Sequence, residues 1–241
     1  MTKNIKMSFV DHFADLRKAF IQIAIILLIS FIISYSFGAE ISSFLLKPLK
    51  NVLHDDGKII FTGVLDKVLS YFQVSFWAAI IISSPVWFYS IWSFIKPGLL
   101  EKEVKVIRPF IIGCFFLFII GVLFGYFLVF PVTFKMLLNF GVADIGAYID
   151  LKSYLVLSIK ILVFLGVVFQ MPNIILILGL LGIVKIKTLN TNRRYIYIGL
   201  SVLAALLTPP DVLTMVGLLI PLMLLYEVGV LAVWIFCREK L

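Results

Sequence analysis

The sequence predicts an all-α integral membrane protein, and its composition and hydropathy are the observations that predict it. Hydrophobic residues make up 62% of the 241 positions and charged residues 14%, and the mean hydropathy is +1.14. These values are typical of polytopic membrane proteins rather than soluble domains. Because about 20 apolar residues cross a bilayer as a helix, six crossings fill the chain as a single membrane domain, 1–241.

The apolar runs define the order of the expected elements. We expect residues 1–18 to form a cytoplasmic amphipathic helix at the membrane surface, because apolar residues recur there at helical spacing. The polar segment after the first span, 38–67, is long enough to fold into short helices. The six expected spans cover about 19–37, 70–92, 106–130, 154–181, 195–207 and 212–236.

Prolines and glycines shape the second and third spans. Pro85 should bend the second span, because proline removes a helical hydrogen bond. Gly121 and Gly125 form a GxxxG pattern in the third span, and we expect it to let two helices of one subunit approach closely. After Pro131 we expect a loop that leads through Asp150 to the fourth span.

The last two spans are short or interrupted. The fifth run is too short to cross about 30 Å of hydrocarbon at about 1.5 Å per residue. Pro221 and Glu227 interrupt the sixth run. We therefore expect this pair either to thin the bilayer locally or to be covered by neighbouring helices.

The distribution of basic residues predicts the orientation. Of the 21 Lys and Arg residues, 14 fall on the side of both termini, 6 fall on the opposite side, and Lys160 lies inside a span. The positive-inside rule therefore puts both termini in the cytoplasm. Since these residues form small groups between apolar runs, without an aromatic-interleaved basic surface, the net charge of +8 indicates lipid topology and not nucleic acid.

A polar island, 94–103, separates the second and third spans on the cytoplasmic side. Pro97 and the glycine after it end one helix, and Glu101 and Glu103 lie where the next helix begins. Negative charge at that position suits the helix dipole. Helix capping alone is therefore one interpretation of these acids.

Asp15 and Glu103 form a second interpretation, as two cytoplasmic carboxylates on separate segments. Each lies near apolar residues, namely Leu16, Phe94 and Leu99. A carboxylate accepts two hydrogen bonds from one guanidinium, so the pair would suit a peptide with two adjacent arginines better than one with lysines. The pattern also allows pairing of both acids with nearby Lys or Arg on a wetted surface.

Other polar residues lie within the expected spans. Lys160 lies toward the outer half of its span and can snorkel, whereas Glu227 is deep enough to need a partner or a wet cavity. With Gln170, these residues could form the relay of a secondary ion- or proton-coupled transporter of small solutes. The two halves of the sequence show no repeat that would support this alternative.

The sequence offers no sign of an enzyme or a cofactor. It contains no P-loop, GxSxG or HExxH pattern. Cys114 and Cys237 form no CxxC pair and have no neighbouring His, so we expect neither a disulfide nor a zinc site.

Several motifs in order resemble the TatC family, the multispanning receptor of the twin-arginine protein translocase. The resemblance covers nearly the whole chain and begins with a His-x-x-acid-Leu-Arg pattern at His12–Arg17. The remaining matches are Pro48, Ser84, Pro85, Trp92, Phe94, Pro97, Leu99, Glu103, Phe118, Gly121, Phe124, Tyr126, Pro131, Phe134, Leu207, Thr208, Pro209, Pro210, Asp211 and Glu227.

The resemblance implies a six-span, glove-like bundle in the cytoplasmic (inner or plasma) membrane of a prokaryote. It implies a subunit that binds twin-arginine signal peptides of folded proteins, nucleates the translocation complex with TatA- and TatB-type single-span subunits, self-associates in a larger receptor complex and uses the protonmotive force. The signal-peptide residues would be Asp15, Leu16, Arg17, Phe94, Leu99 and Glu103. The loop and structural residues would be Pro48, Pro85, Pro97, Pro209, Pro210 and Asp211.

Two positions depart from the family pattern. The family commonly has Glu at the position of Asp15. Aspartate keeps the negative charge, but its side chain is shorter by one methylene. Gln170 stands where the family often has an acid. An amide does not titrate, so it cannot act as a proton switch, but it can still hydrogen-bond a partner helix. We expect Gln170 and Thr208 to face a partner's single span.

Overall fold

The structure is a computed structural model that describes residues 9–53, 58–96, 101–138, 148–208 and 212–237. Its helices are α1 (Phe9–Ser36), α2 (Gly38–Lys50), α3 (Asp66–Ile82), α4 (Ser84–Ile95), α5 (Glu101–Phe124), α6 (Phe130–Leu138), α7 (Leu151–Val168), α8 (Met171–Leu180), α9 (Ile186–Thr191), α10 (Arg193–Leu207) and α11 (Val212–Phe236). A π-helical segment, Gly125–Val129, joins α5 to α6, and the strands are β1 (Lys58–Ile60) and β2 (Tyr148–Asp150).

The helices confirm a helical membrane protein. Four helical stretches are long and apolar enough to cross a bilayer, and the bent pair α3–α4 makes a fifth candidate. The four stretches are Leu16–Ser36, Ile112–Leu138, Leu151–Leu180 and Thr214–Phe236. α10 has 15 residues and rises only about 22 Å, as its short apolar run predicts. The count of six spans and the cytoplasmic termini remain predictions.

The first helix differs from the sequence-based expectation of two elements. From Phe9 to Ser36, α1 is one continuous helix, so the described part of the amphipathic segment and the first span are not separate helices. The reason is local, because this stretch contains neither Gly nor Pro to break the hydrogen-bond ladder.

The chain stays helical through Pro131 and Pro221, although proline usually breaks or bends a helix. The loop expected after Pro131 begins later, since the chain passes through the π-helical segment into α6 and stays helical to Leu138. Pro131 lies in the first turn of α6, where its missing N–H costs little. Likewise, α11 is continuous through Pro221.

Close packing of α5 and the π-helical segment on α7 explains the two glycines of the third span. A Cβ at Gly121 would lie 2.8 Å from the Leu165 carbonyl oxygen, and one at Gly125 would lie 2.8 Å from Leu162 Cδ2. Helices can approach this closely only where a side chain is absent. This contact lies within one chain, as the GxxxG pattern predicts.

At the end of the bundle that carries β1 and β2, polar side-chain contacts connect α3 with α7. β1 and β2 pair in parallel, with Ile59 opposite Ile149. Thr62 Oγ1 donates to an oxygen of Asp150 at 3.1 Å, and Lys152 Nζ lies 2.9 Å from Asp66 Oδ1. These contacts join the start of α3 to the start of α7. The two strands of three residues are the only departure from an all-helical architecture in the described ranges.

Candidate functional site

The N-terminal half of α1 carries the first group of predicted signal-peptide residues. Leu16 is half-buried and Arg17 is exposed. Asp15 also lies in this helix, but its side chain is outside the described part of the structure.

The end of α4 and the start of α5 carry the second group. Phe94 is half-buried in the last turn of α4. Glu103 lies in the first turn of α5, and its side chain is not among those the structure describes. The predicted residues Pro97 and Leu99 lie outside the described residues.

Helix packing brings these backbone segments to one end of the bundle. Ser75 Oγ, midway along α3, lies 3.4 Å from the carbonyl oxygen of Ser34 in the last turn of α1. α4 follows α3 and also packs against α1. α4 therefore packs against the part of α1 that precedes Ser34, and Leu16 and Arg17 belong to this part. Because α5 packs against α4, its first turn belongs to the same end.

Pro85 directs α4 toward that end. α3 and α4 meet at a 53° bend, and Pro85 occupies the first turn of α4. Two side chains donate to one backbone oxygen at the bend, since the Ile80 carbonyl accepts from Trp87 Nε1 at 3.1 Å and from Ser83 Oγ at 3.3 Å. The predicted bend is therefore observed, and it sets the direction of the helix that ends with Phe94.

Pro48 lies in α2, a short helix within the polar segment 38–67, which was expected to be long enough to form short helices. It is buried in the last turn of α2, and its missing N–H leaves the Phe44 carbonyl without its helical donor. The Tyr126 hydroxyl supplies a donor to this carbonyl at 2.9 Å, and its ring stacks on Phe44 with 4.3 Å between centroids. The other predicted structural residues, Pro209, Pro210 and Asp211, lie outside the described residues.

Gln170 and Thr208, the predicted contacts for a partner's helix, are both buried. Gln170 Nε2 donates to the Cys114 carbonyl in α5 at 3.0 Å, and its Oε1 accepts from Asn173 Nδ2 at 3.1 Å. Thr208 Oγ1 donates to the Ala204 carbonyl at 2.9 Å. Within this chain their polar groups are thus engaged internally, and contact with a partner remains a prediction.

Glu227 has the partner that its depth requires. Arg193 Nη2 lies 2.9 Å from Glu227 Oε2, and the Tyr197 hydroxyl donates to Glu227 Oε1 at 2.5 Å. Arg193 and Tyr197 are one turn apart on α10, so both reach the same carboxylate on α11. From the sequence alone, Arg193 is one of the 14 basic residues on the side of the termini, with no indicated partner. The spacing of Arg193 and Tyr197 at the start of a short span was the available signal.

A groove of about 410 Å³ adjoins this ion pair. Its walls come from α9, α10 and α11. The lining residues are Ile186, Asn190, Arg193, Leu224, Glu227, Val228, Val230, Leu231 and Trp234.

The residues of the alternative relay have separate partners. Gln170 bonds to α5 and Asn173, Glu227 pairs with α10, and Lys160 is exposed on α7. No contact joins any two of the three in the described part of the chain, so the geometry gives the transporter alternative no support. The described residues also contain no group of three His, Cys, Asp or Glu that could hold a metal ion.

Comparisons with known proteins cover almost the whole chain. The family described as "Sec-independent protein translocase protein (TatC)" matches residues 11–221. A TatC protein of Desulforapulum autotrophicum is 35% identical over 98% of this chain and 87% of its own length. TatC of Escherichia coli strain K12 is 32% identical over 92% of this chain and 86% of its own.

Solved structures agree with the sequence comparisons. A crystal structure of the twin-arginine translocase receptor TatC superposes with a TM-score of 0.80 at 30% identity, covering 93% of this chain and 98% of the other. A second TatC structure, in the detergent DDM, gives a TM-score of 0.81. The family is one of protein translocase components and not of enzymes. The chain belongs to the TatC family of Sec-independent protein translocase proteins.

Proposed function

We propose that this chain is the receptor subunit of a twin-arginine translocase and binds the signal peptides of folded cargo at its cytoplasmic end. The observation that carries the proposal is the family match over residues 11–221, together with the meeting of α1, α4 and α5 at one end of the bundle. In this proposal both termini and that end face the cytoplasm, where cargo is folded.

Two carboxylates would provide the specificity. Asp15 and Glu103 come from segments that share one end, and each carboxylate can accept two hydrogen bonds from a guanidinium. Lysine offers a compact point charge without the planar fork, so a Lys-Lys peptide would bind less well. Phe94, Leu16 and Leu99 would contact the apolar part of the peptide, and Arg17 completes the group.

The remaining parts of the proposal concern energy and partners. The resemblance to the TatC family implies that the protonmotive force drives transport, and the lack of a P-loop in the sequence agrees with a subunit that hydrolyses no nucleotide. Single-span subunits of the TatA and TatB types would assemble with it, and several copies would form the larger receptor complex. Gln170 and Thr208 are the proposed contacts for a partner's span.

Photocrosslinking tests the recognition site. A synthetic signal peptide carries a photoreactive residue beside its Arg-Arg pair and is irradiated with membranes that contain the full chain. Glu103→Ala should reduce the crosslinked product at least about tenfold, as expected for losing a charge-assisted pair. Glu101→Ala is the matched control, because Glu101 lies in the same first turn.

Two results would remove the carboxylates from the proposed site. One is an unchanged yield with Glu103→Ala when the protein inserts normally. The other is an equal yield from Arg-Arg and Lys-Lys peptides, which would contradict recognition by the guanidinium fork. Blue-native electrophoresis of the same membranes controls for insertion and assembly.

A further inference from the structure

The groove beside the Arg193–Glu227 pair combines a polar side with an apolar wall. Its volume of about 410 Å³ lies in the range of small-molecule sites, about 300–1,000 Å³. Asn190 of α9 and Arg193, the first residue of α10, form the polar side. Arg193 precedes the expected fifth span by two residues, so the polar side lies next to the expected start of that span. We call this feature the α11 groove, and none of the proposed signal-peptide residues lines it.

One face of α11 forms the apolar wall of the groove. Leu224, Val228 and Leu231 are 61%, 56% and 56% exposed, and their spacing of three or four residues puts them on one side of the helix. Trp234 continues this face. Leu224 and Trp234 are ten residues apart, which is a rise of about 15 Å. This length matches the hydrocarbon of one leaflet, half of about 30 Å, so the wall suits a lipid acyl chain.

The charge around the polar side is positive. Four basic residues lie within 185–194, and the sequence contains no acidic residue from 151 to 210. Glu227 is the one acid among the described lining residues. Arg193 and Tyr197 engage its two oxygens, and its single charge offsets only one of the four positive charges. A basic cluster beside a pocket between membrane helices is typical of sites for anionic lipid headgroups.

The Arg193 guanidinium can bind a second anionic oxygen besides Glu227. It carries several N–H donors in a planar fork, and the ion pair is formed by its Nη2, which lies 2.9 Å from Glu227 Oε2. The Arg193 side chain is 45% exposed, so a ligand in the groove can reach the other donors. Asn190 is exposed beside it. Guanidinium and amide donors together suit a phosphate group.

We propose that the α11 groove binds one anionic phospholipid. The lipid phosphate accepts hydrogen bonds from Arg193 and Asn190, and an acyl chain lies against the apolar wall of α11. The positive charge of 185–194 favours a headgroup of net negative charge over a zwitterionic one. This inference goes beyond the proposed function and does not depend on where the signal peptide binds.

Native mass spectrometry of the full chain in detergent measures lipid binding. The probes are phosphatidylglycerol, phosphatidylcholine with the same acyl chains, and glycerophosphoglycerol, which has the anionic headgroup without acyl chains. Wild-type chain should bind phosphatidylglycerol about tenfold more tightly than phosphatidylcholine, as expected for one charge-assisted contact. Glycerophosphoglycerol should bind more weakly than phosphatidylglycerol, because it cannot contact the apolar wall. Equal binding of the two lipids would overturn the proposal, and so would equal binding of glycerophosphoglycerol and phosphatidylglycerol, which would indicate a site for free phosphate compounds.

Two pairs of variants locate the site. Glu227→Gln should keep the preference for phosphatidylglycerol, whereas Arg193→Gln combined with Glu227→Gln, which leaves no unpaired carboxylate, should abolish it. Val228→Trp fills the groove without changing the ion pair and should weaken phosphatidylglycerol binding about tenfold. Val216→Trp is its control, because Val216 lies on α11 outside the groove and is 39% exposed.

Two results with these variants would also overturn the proposal. One is a preference for phosphatidylglycerol that survives the combined Arg193→Gln and Glu227→Gln change. The other is equal lipid binding by Val228→Trp and Val216→Trp, which would place the lipid outside the groove. Size-exclusion chromatography verifies that each variant is folded before it is compared. Because no signal peptide is present, failure here and failure of the recognition site are distinguishable.

Discussion

Two ion pairs with the same separation of 2.9 Å hold opposite ends of the bundle, and their surroundings differ. Lys152 and Asp66 join α7 to α3 beside the paired strands. Arg193 and Glu227 join α10 to α11 within the expected last pair of spans, after α7 and α8 have carried the chain to the other end. Equal geometry therefore does not imply equal importance, because the first pair lies at the polar end of α7, where we expect water to screen it, whereas the Glu227 carboxylate of the second lies within the expected sixth span.

The two ends also differ in how many other bonds support the ion pair. At the strand end, Thr62 bonds to Asp150, and Tyr126 and Tyr154 donate to backbone oxygens of α2. At the other end, Glu227 has Tyr197 as its second described partner, and the Tyr226 hydroxyl donates to the Leu189 carbonyl of α9. Because the strand end also has the paired strands, we expect a single substitution to affect the Arg193–Glu227 pair more than the Lys152–Asp66 pair.

The largest effect is expected for Arg193→Met. This change leaves the Glu227 carboxylate at membrane depth without its cation, and we expect it to lower the free energy of unfolding by about 3 kcal/mol. The measurement is reversible unfolding in bicelles. Arg194→Met is the control, because the Arg194 guanidinium contacts Tyr195 and not Glu227. Equal losses of unfolding free energy in Arg193→Met and Arg194→Met would show that the ion pair does not contribute. Adding Glu227→Met to Arg193→Met should recover part of the loss.

Tyr126→Phe should have an intermediate effect at the strand end. It removes the hydroxyl that donates to the Phe44 carbonyl freed by Pro48, and leaving this part-buried carbonyl unpaired should cost about 1 kcal/mol. The same unfolding assay measures it. In a Pro48→Ala background the backbone N–H can return to that carbonyl, so the cost should shrink. An equal cost in both backgrounds would contradict the assigned role.

Acidification should weaken the start of α7 slightly. Hydrogen bonds from Ser153 hold the pKa of the Asp150 carboxyl below its ordinary value, and the carboxylate accepts from the Ser153 backbone N–H at 2.9 Å. A lowered folded pKa adds stability above about pH 4, which is lost as the pH falls through the folded pKa. Wild type should therefore lose stability below pH 4 relative to Asp150→Asn. Parallel profiles would show that Asp150 does not contribute.

Lys152→Met should have the smallest effect, since it breaks the water-screened pair and leaves the neighbouring bonds in place. We expect a shift in unfolding close to the limit of detection and smaller than that of Arg193→Met. High salt should reduce it further. A Lys152→Met effect as large as that of Arg193→Met would contradict the contrast between the two ends.

The features predicted from sequence are the local ones. Pro85 predicted a bend because its effect lies within its own helix, and Gly121 and Gly125 predicted close packing because small residues permit it. The short fifth run predicted the 15 residues of α10. In each case the physical cause is contained in a few neighbouring residues.

The features missed depend on residues far apart in the sequence. The length of the segment 38–67 allowed short helices, but the sequence did not indicate how α2 continues through Pro48, where the Tyr126 hydroxyl replaces the donor that the proline removes. The pairing of Arg193 with Glu227 required the packing of α10 on α11, which no spacing in the sequence specifies. The candidate site is only partly accounted for. The packing of α1, α4 and α5 places its segments at one end of the bundle, whereas the roles of its two carboxyl side chains remain predictions.

The most direct test of the central claim is the sidedness of residues 15 and 103. In a chain with Cys114 and Cys237 replaced by alanine, single cysteines at 15 and 103 are exposed to a membrane-impermeant maleimide in right-side-out and inside-out vesicles. Both positions should react only in inside-out vesicles, where the cytoplasmic face is accessible. Labelling of the two positions from opposite faces would contradict a shared signal-peptide site.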